Sequence, residues 1–370
     1  MTEKISGRVV RPGAVVPGCV EVDGPTILDV TERGHLGGDI IVPGFVDLHC
    51  HGGGGHTFTR GDAAAARAAA AFHLRHGTTT MLASLVSSPY GLMRDATAAY
   101  LPLVADGTIA GVHFEGPYLS QPRCGAQNPA FLRDPSLTEL TALVKLGAGD
   151  GRGAVRMVTI APELPGALDA IAFLAANGVV AALGHTDATY AQTLAGVAAG
   201  ATVGTHLFNG MRPAHHREPG PVVALLDSPS IVCELIADGI HLHDGMLRFA
   251  AHAAGPDRAA LITDAMDAAG MPDGRYELGG QEVTVADRVA RLVRDGSIAG
   301  STLTMDAAFR RAVGAGLDLP TAAMMASTTP ARALGLADEV GALEAGLRAD
   351  LVVLAPDLTV RRVMRAGAWI

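Results

Sequence analysis

From residue 40 onward, short runs rich in Val, Ile and Thr alternate with Ala- and Leu-rich stretches whose apolar residues recur at helical spacing. The apolar runs fall at 40–49, 79–85, 109–115, 155–161, 179–185, 201–206, 231–237 and 260–264, and helices are predicted between them at 63–75, 164–176, 189–199 and 244–254. Strand, crossover helix and parallel strand repeated in this way predict an α/β fold, a (β/α)8 TIM-type barrel. In such a barrel the side chains that do chemistry sit where the strands end, at the C-terminal face.

The two ends of the chain read differently. GRVVRPGAVV and PTILDV near the start, and ADLVVLAP and LTVRRVMRAGAWI near the end, are short apolar runs broken by Gly and Pro, an antiparallel β signature. A two-stranded piece is marginal alone, so strands from both termini are expected to pair into one small β-sandwich domain. The expected division is 1–42 with 338–370 for the sandwich and 43–337 for the catalytic barrel. Residues 279–297 (GGQEVTVADRVARLVRDGS) read as a hairpin inserted after the eighth strand.

Composition narrows the class. Hydrophobic residues make up 49% of the chain and charged residues 18%, which excludes disorder. The start, MTEKISGRVV, has Glu3 and Lys4 with no apolar run behind them, so neither a leader nor a membrane span is expected. A formal charge of -9 argues against nucleic-acid or acidic-membrane partners, which require basic surface. The four cysteines show no CxxC spacing, and a reduced, cytoplasmic protein is expected.

The chemistry lies in the histidines, of which there are 14, against two lysines, Lys4 and Lys145. In DLHCHG, side chains two apart on a strand point the same way, so His49 and His51 enter the barrel mouth while Cys50 faces the outer helices. Glu115 ends the third strand in GVHFEGPYL, His185 the fifth in ALGHTDAT, His206 the sixth in VGTHLFNGM and Asp264 the eighth in ALITDAM. Any one of these is an ordinary polar residue at a strand end; barrel geometry makes the set converge. Four imidazoles and two carboxylates suit one or two divalent cations per subunit, zinc first and Fe2+ or another metal next, with an open position for water. Many barrel hydrolases bridge two metals with a carboxylated lysine. Lys4 falls in the terminal sheet and Lys145 in a helix, which leaves Glu115 as the bridging carboxylate.

These motifs, from PGFVDLHCHG through HFEGPYL, GHTDA, THLFNGM, REPG, ADGIH, TDAM and GSTLTM to GLRADLVVL, resemble the amidohydrolase superfamily over essentially the whole chain, and within it the N-acetylglucosamine-6-phosphate deacetylases. The resemblance implies that His49 and His51 hold one metal, that His185 and His206 hold the other, and that Glu115 contacts one or both. It implies phosphate-side contacts from Asn209, the backbone at Gly210, Arg217 and His241, residue types suited to an anion. It also implies a homodimer in which Arg217 reaches the neighbouring subunit's site.

The chain departs from the family pattern at Gln127 in RCGAQNP, where the family often has a histidine that helps polarise the substrate carbonyl; an amide can donate there but cannot become a cation. Cys124 in the same loop is either part of a lid or an ordinary loop thiol, and His215 and His216 read as surface residues. The implied activity is hydrolysis of N-acetyl-D-glucosamine 6-phosphate to D-glucosamine 6-phosphate and acetate, with Asp264 as the proton shuttle. The alternatives are a cyclic-amide hydrolase, disfavoured by the missing lysine, and an inactive barrel scaffold, disfavoured by the complete ligand set.

Overall fold

A computed structural model describes residues 2–32, 38–147 and 153–370 of the chain; of the expected sandwich segment 1–42, residues 1 and 33–37 lie outside the described residues. Eight parallel strands form one sheet in sequential order. They are β1 (Phe45–Asp47), β2 (Thr78–Val86), β3 (Gly111–Glu115), β4 (Val155–Ile160), β5 (Val180–Leu183), β6 (Val203–Gly204), β7 (Val232–Ile236) and β8 (Ala259–Ile262). The sheet curls until its ends nearly close, with Asp264 N–H donating to His49 O at 2.8 Å and a parallel bridge joining Cys50 to Ala265. The expected barrel is therefore present. Its first predicted run, 40–49, is two strands, because Gly44 breaks it: a Cβ there would lie 2.2 Å from Thr79 Oγ1, so only glycine lets the chain pass. Ile40–Pro43 joins the terminal sheet and Phe45–Asp47 joins the barrel.

The terminal sheet has seven strands from both ends of the chain, in the order Ala368–Trp369, Val360–Arg365, Leu351–Leu354, Ile40–Pro43, Glu3–Arg11, Ala14–Asp23 and Thr26–Glu32. Its central runs are apolar on every residue because both faces are covered. Val10, Ile40, Val42, Val352 and Leu354 pack on the barrel core. Their neighbours Val9, Ile41, Leu351 and Val353 alternate to the other face and fill a separate small core. The loop leading into Leu351–Leu354 closes on the edge strand Thr26–Glu32, Ile27 N–H donating to Leu347 O at 2.9 Å.

The helices follow the sequence expectation closely. Ala63–Arg75 starts on Asp62, whose carboxylate accepts from the N–H groups of Ala64 and Ala65, and the helix over 189–199 is held by a Thr189–Gln192 capping box. The expected hairpin is present, Gln281–Ala286 pairing antiparallel with Val289–Leu292, and Gly274–Leu278 joins it through the Gly279–Gly280 turn to make a three-stranded sheet. Leu278, Val283, Val285, Ala290 and Leu292 pack there against Val86 and Met266, which sets the sheet beside the barrel mouth.

Candidate metal centre and substrate cavity

Five of the six predicted ligands lie just beyond strand ends. His49 and His51 follow β1, His185 stands two residues after β5 and Asp264 two after β8; His206 follows β6 in the same way, and Glu115 is the last residue of β3. All are buried. Three of them, His185 (φ 46°), His206 (φ 25°) and Asp264 (φ 49°), occupy positive-φ backbone that L-residues rarely adopt. Strain of this kind persists where surrounding structure enforces it, and here it turns each side chain inward at the end of its strand.

The imidazoles converge on one carboxylate. Glu115 Oε1 lies 2.8 Å from His206 Nε2 and 2.9 Å from His185 Nε2, and Glu115 Oε2 lies 3.2 Å from His51 Nε2. His49 Nε2 and His51 Nε2 are 3.1 Å apart, and Asp264 Oδ1 is 3.6 Å and 3.3 Å from them respectively. His49, His51 and Asp264 form one triad whose ligand atoms are mutually within 4.8 Å, and His49, Glu115 and His206 form another.

The outer ring nitrogens fix which atoms face inward. His51 Nδ1 lies 3.1 Å from Ser84 O and His185 Nδ1 lies 2.9 Å from Arg123 O. A carbonyl oxygen only accepts, so both Nδ1 atoms carry a proton, and each ring in its neutral form presents an Nε2 lone pair to the centre. His49 Nδ1 lies 3.2 Å from Glu234 Oε2, a carboxylate in the same role. This donor set fits a divalent metal.

Electrostatics agree with that chemistry. Burial alone would push the Glu115 carboxyl up, but the imidazoles of His49 and His185 hold it well below the usual carboxylate range. Asp264 is lowered likewise, burial being outweighed by His49 and His51. Burial would lower His51, yet its bonds to Asp264 and Glu115 raise it to about 9. Two ionised carboxylates here require positive charge between them. Protons on the imidazoles or divalent cations both supply it, and cations do so through the Nε2 lone pairs. Below the centre, His113 packs edge-on against His49 with ring centroids 4.6 Å apart, both its nitrogens bonded to hydroxyls of Ser84 and Thr159. Burial holds it well below the ordinary histidine range, as a neutral floor.

A cavity of about 280 Å³ opens above the centre. His51, Glu115, His185, His206 and Asp264 line it together with Gln127, Asn209, Gly210 and His241, while Leu278, Ser297 and Ile298 form the wall from the insertion side. Gly210 (φ 59°) must be glycine, since a Cβ would fall 2.6 Å from His185 Nδ1. His241 Nδ1 donates to Asp238 Oδ2 at 2.6 Å; burial would lower the imidazole, but Asp238 raises it. Gln127 is buried, its Oε1 accepting from Ser87 N–H at 2.7 Å and its Nε2 donating to Glu115 Oε2 at 2.5 Å.

One predicted residue stands apart. Arg217 is exposed, bonds His216 Nε2 at 2.8 Å and does not line the cavity. Among the described residues no lysine or arginine lines it at all. Cys124 is partly buried in its loop and is also outside the lining. His215 and His216 are exposed, as expected. The sequence reading did not single out Glu234, Asp238 or His113. A carboxylate inside the apolar run IVCELIA was the available signal for Glu234, and the Asp three residues before His241 was the signal for Asp238.

Residues 40–370 match the amidohydrolase family. The chain is 36% identical over 336 residues to an N-acetylglucosamine-6-phosphate deacetylase of Lysinibacillus sphaericus, covering 89% of this chain and 85% of that protein. It is 37% identical over 359 residues to an N-acetylgalactosamine-6-phosphate deacetylase of Escherichia coli O157:H7, covering 95% and 93%. A mutant N-acetyl-D-glucosamine-6-phosphate deacetylase from Mycobacterium smegmatis, solved in complex with N-acetyl-D-glucosamine 6-phosphate, superposes with a TM-score of 0.95 at 45% identity, over 100% of this chain and 99% of that one.

Proposed function

The chain belongs to the amidohydrolase family, among its N-acetylhexosamine-6-phosphate deacetylases, and from that premise we propose that it hydrolyses N-acetyl-D-glucosamine 6-phosphate to D-glucosamine 6-phosphate and acetate in amino-sugar breakdown or recycling. The observation that carries this reading is the convergence of four imidazoles and two carboxylates, three of the six on strained backbone, at the floor of a cavity large enough for one sugar. The residues that would hold metal are His49, His51, Glu115, His185, His206 and Asp264, with zinc as the proposed ion and two sites per subunit. A bound divalent cation supplies Lewis acidity to the carbonyl oxygen and brings the pKa of water towards ~7.

The protein's own groups do the rest. Asp264 accepts the proton of the attacking water as the new C–O bond forms, and returns it to the nitrogen as the C–N bond breaks, so the amine leaves neutral. His241, oriented by Asp238, lines the cavity as a donor for the acetamide oxygen, while the amide of Gln127 in the same lining is bonded to Glu115. Asn209 and the Gly210 N–H are proposed for the phosphate. A sugar phosphate carries about -1.5 to -2 charges, and among the described residues no lysine or arginine lines the cavity. That absence supports a homodimer in which the exposed Arg217 completes the partner's site.

Separate small and large cores support the proposed division into a terminal-sheet domain, 1–42 with 338–370, and a catalytic barrel, 43–337. Among the described residues no helix is long and apolar enough to cross a membrane, and a cytoplasmic location with reduced cysteines fits the free thiols. The 37% identity to a galactosamine enzyme favours one second reading, N-acetyl-D-galactosamine 6-phosphate as the substrate. Acetate release from the two sugar phosphates, measured side by side, tests both.

A further inference from the structure

Glu234 stands in the middle of β7 and is fully buried, with Cys233 and Leu235 beside it equally inaccessible. An ionised carboxylate in such a place is strongly disfavoured unless it is paired and hydrogen-bonded. Among the described residues no lysine or arginine pairs with it. Its Oε2 accepts from His49 Nδ1 and from the backbone N–H of His206, each at 3.2 Å, and its Oε1 has no partner. The side chain thus touches both metal triads at once, through the imidazole of one ligand and the backbone of another. His51 and His185 have their outer nitrogens tied to backbone carbonyls, which the fold supplies whatever the side chains; His49 has no such carbonyl and depends on this one carboxylate.

We propose that Glu234 is a positioning residue of the metal centre: by accepting the Nδ1 proton of His49 it fixes the tautomer and ring plane that present Nε2 to the ion shared with His51 and Asp264. The proposal rests on the metal-dependent reading above. A carboxylate does this better than an amide for two reasons. It can only accept, so the ring cannot turn over to the other tautomer, and its charge makes the imidazole a stronger ligand. Its second contact, to the N–H of His206, holds a residue whose φ of 25° needs external support.

The test is a titration of metal-free protein with Zn2+ in competition with a chromophoric chelator. Wild type should bind two ions. In Glu234→Gln the dissociation constant of one ion, the one held by His49, His51 and Asp264, should rise about 10–100-fold, the usual effect of losing a group that orients a ligand, with the other ion changed less than about threefold and the melting temperature of the metal-free protein unchanged. In a His49→Ala background, Glu234→Gln should add nothing, because Glu234 acts through that ring. Both ions binding Glu234→Gln as tightly as wild type would overturn the proposal while leaving the metal-dependent reading intact; a wild-type protein that binds no divalent metal would overturn both. Should the variant not fold, 15N-histidine NMR of the zinc-loaded wild type decides: His49 should show a protonated Nδ1 and a ligated Nε2, and the reverse assignment defeats the proposal.

Discussion

Gln127 donates through Nε2 to Glu115 Oε2 at 2.5 Å, on the opposite side of the carboxylate from the His185 and His206 nitrogens that meet Oε1. Its own Oε1 is fixed by Ser87 N–H, so the amide cannot flip without losing both bonds. With both ends of its amide committed, this glutamine buckles the Glu115 carboxylate in place. Gln127→Ala should therefore weaken metal binding about 10–100-fold along with turnover. Unchanged metal affinity with a fall in kcat alone would assign Gln127 to the carbonyl instead.

Asp264 combines strained backbone, a carboxylate held below its usual range and a place in the cavity wall. Asp264→Asn keeps the shape and removes the proton acceptor. Turnover should fall by roughly 10²–10⁴-fold, the scale for a positioned acid–base group, and near-normal turnover would place the shuttle on another residue.

Behind the centre, His73 is buried against Gly52 O at 2.9 Å and Cys50 Sγ at 3.3 Å. Burial lowers its pKa to about 4 despite the Gly52 bond. The unfolded chain protonates this ring below about pH 6.5 while the folded one resists until about 4, so the contribution is complete above 6.5 and is lost as pH falls through that window. The loss is on the order of 3 kcal/mol. Denaturant titrations of wild type and His73→Gln between pH 7 and 4 should show a shallower decline in the variant; parallel curves would mean another group drives acid unfolding.

Arg217 lies outside its own cavity, yet a dianionic substrate needs a cation. Arg217→Ala should weaken use of the phosphorylated sugar by about 1.5–3 kcal/mol, the scale of a hydrogen bond to a charged group, and leave the unphosphorylated sugar nearly unaffected. Reassociating Arg217→Ala with Asp264→Asn subunits should restore wild-type behaviour in about a quarter of all sites if the arginine crosses a two-fold interface. Activity fixed at the average of the two parents would confine Arg217 to its own chain.

Much of this was legible in the sequence because barrel strands end on their functional residues, and a histidine or carboxylate closing an apolar run is a local signal. The convergence of the six candidate ligands at one end of the barrel follows from that rule. What the sequence hid depends on packing between distant elements. Gly44 splits one apolar run into strands of two sheets because Thr79 crowds it. Glu234 sits within a strand instead of at its end, so only the approach of His49, 185 residues away, gives it meaning. Arg217 shows the opposite limit: its motif is plain in the sequence, but the structure leaves it exposed and outside the cavity lining.

The most direct measurement is acetate release by zinc-reconstituted protein from N-acetyl-D-glucosamine 6-phosphate, run beside N-acetyl-D-galactosamine 6-phosphate and unphosphorylated N-acetyl-D-glucosamine, with a chelator-treated control. The predicted result is metal-dependent release, fastest from the glucosamine phosphate and slowest from the sugar without phosphate. Release that survives complete metal removal, or no release from either phosphorylated sugar by fully loaded protein, would contradict it.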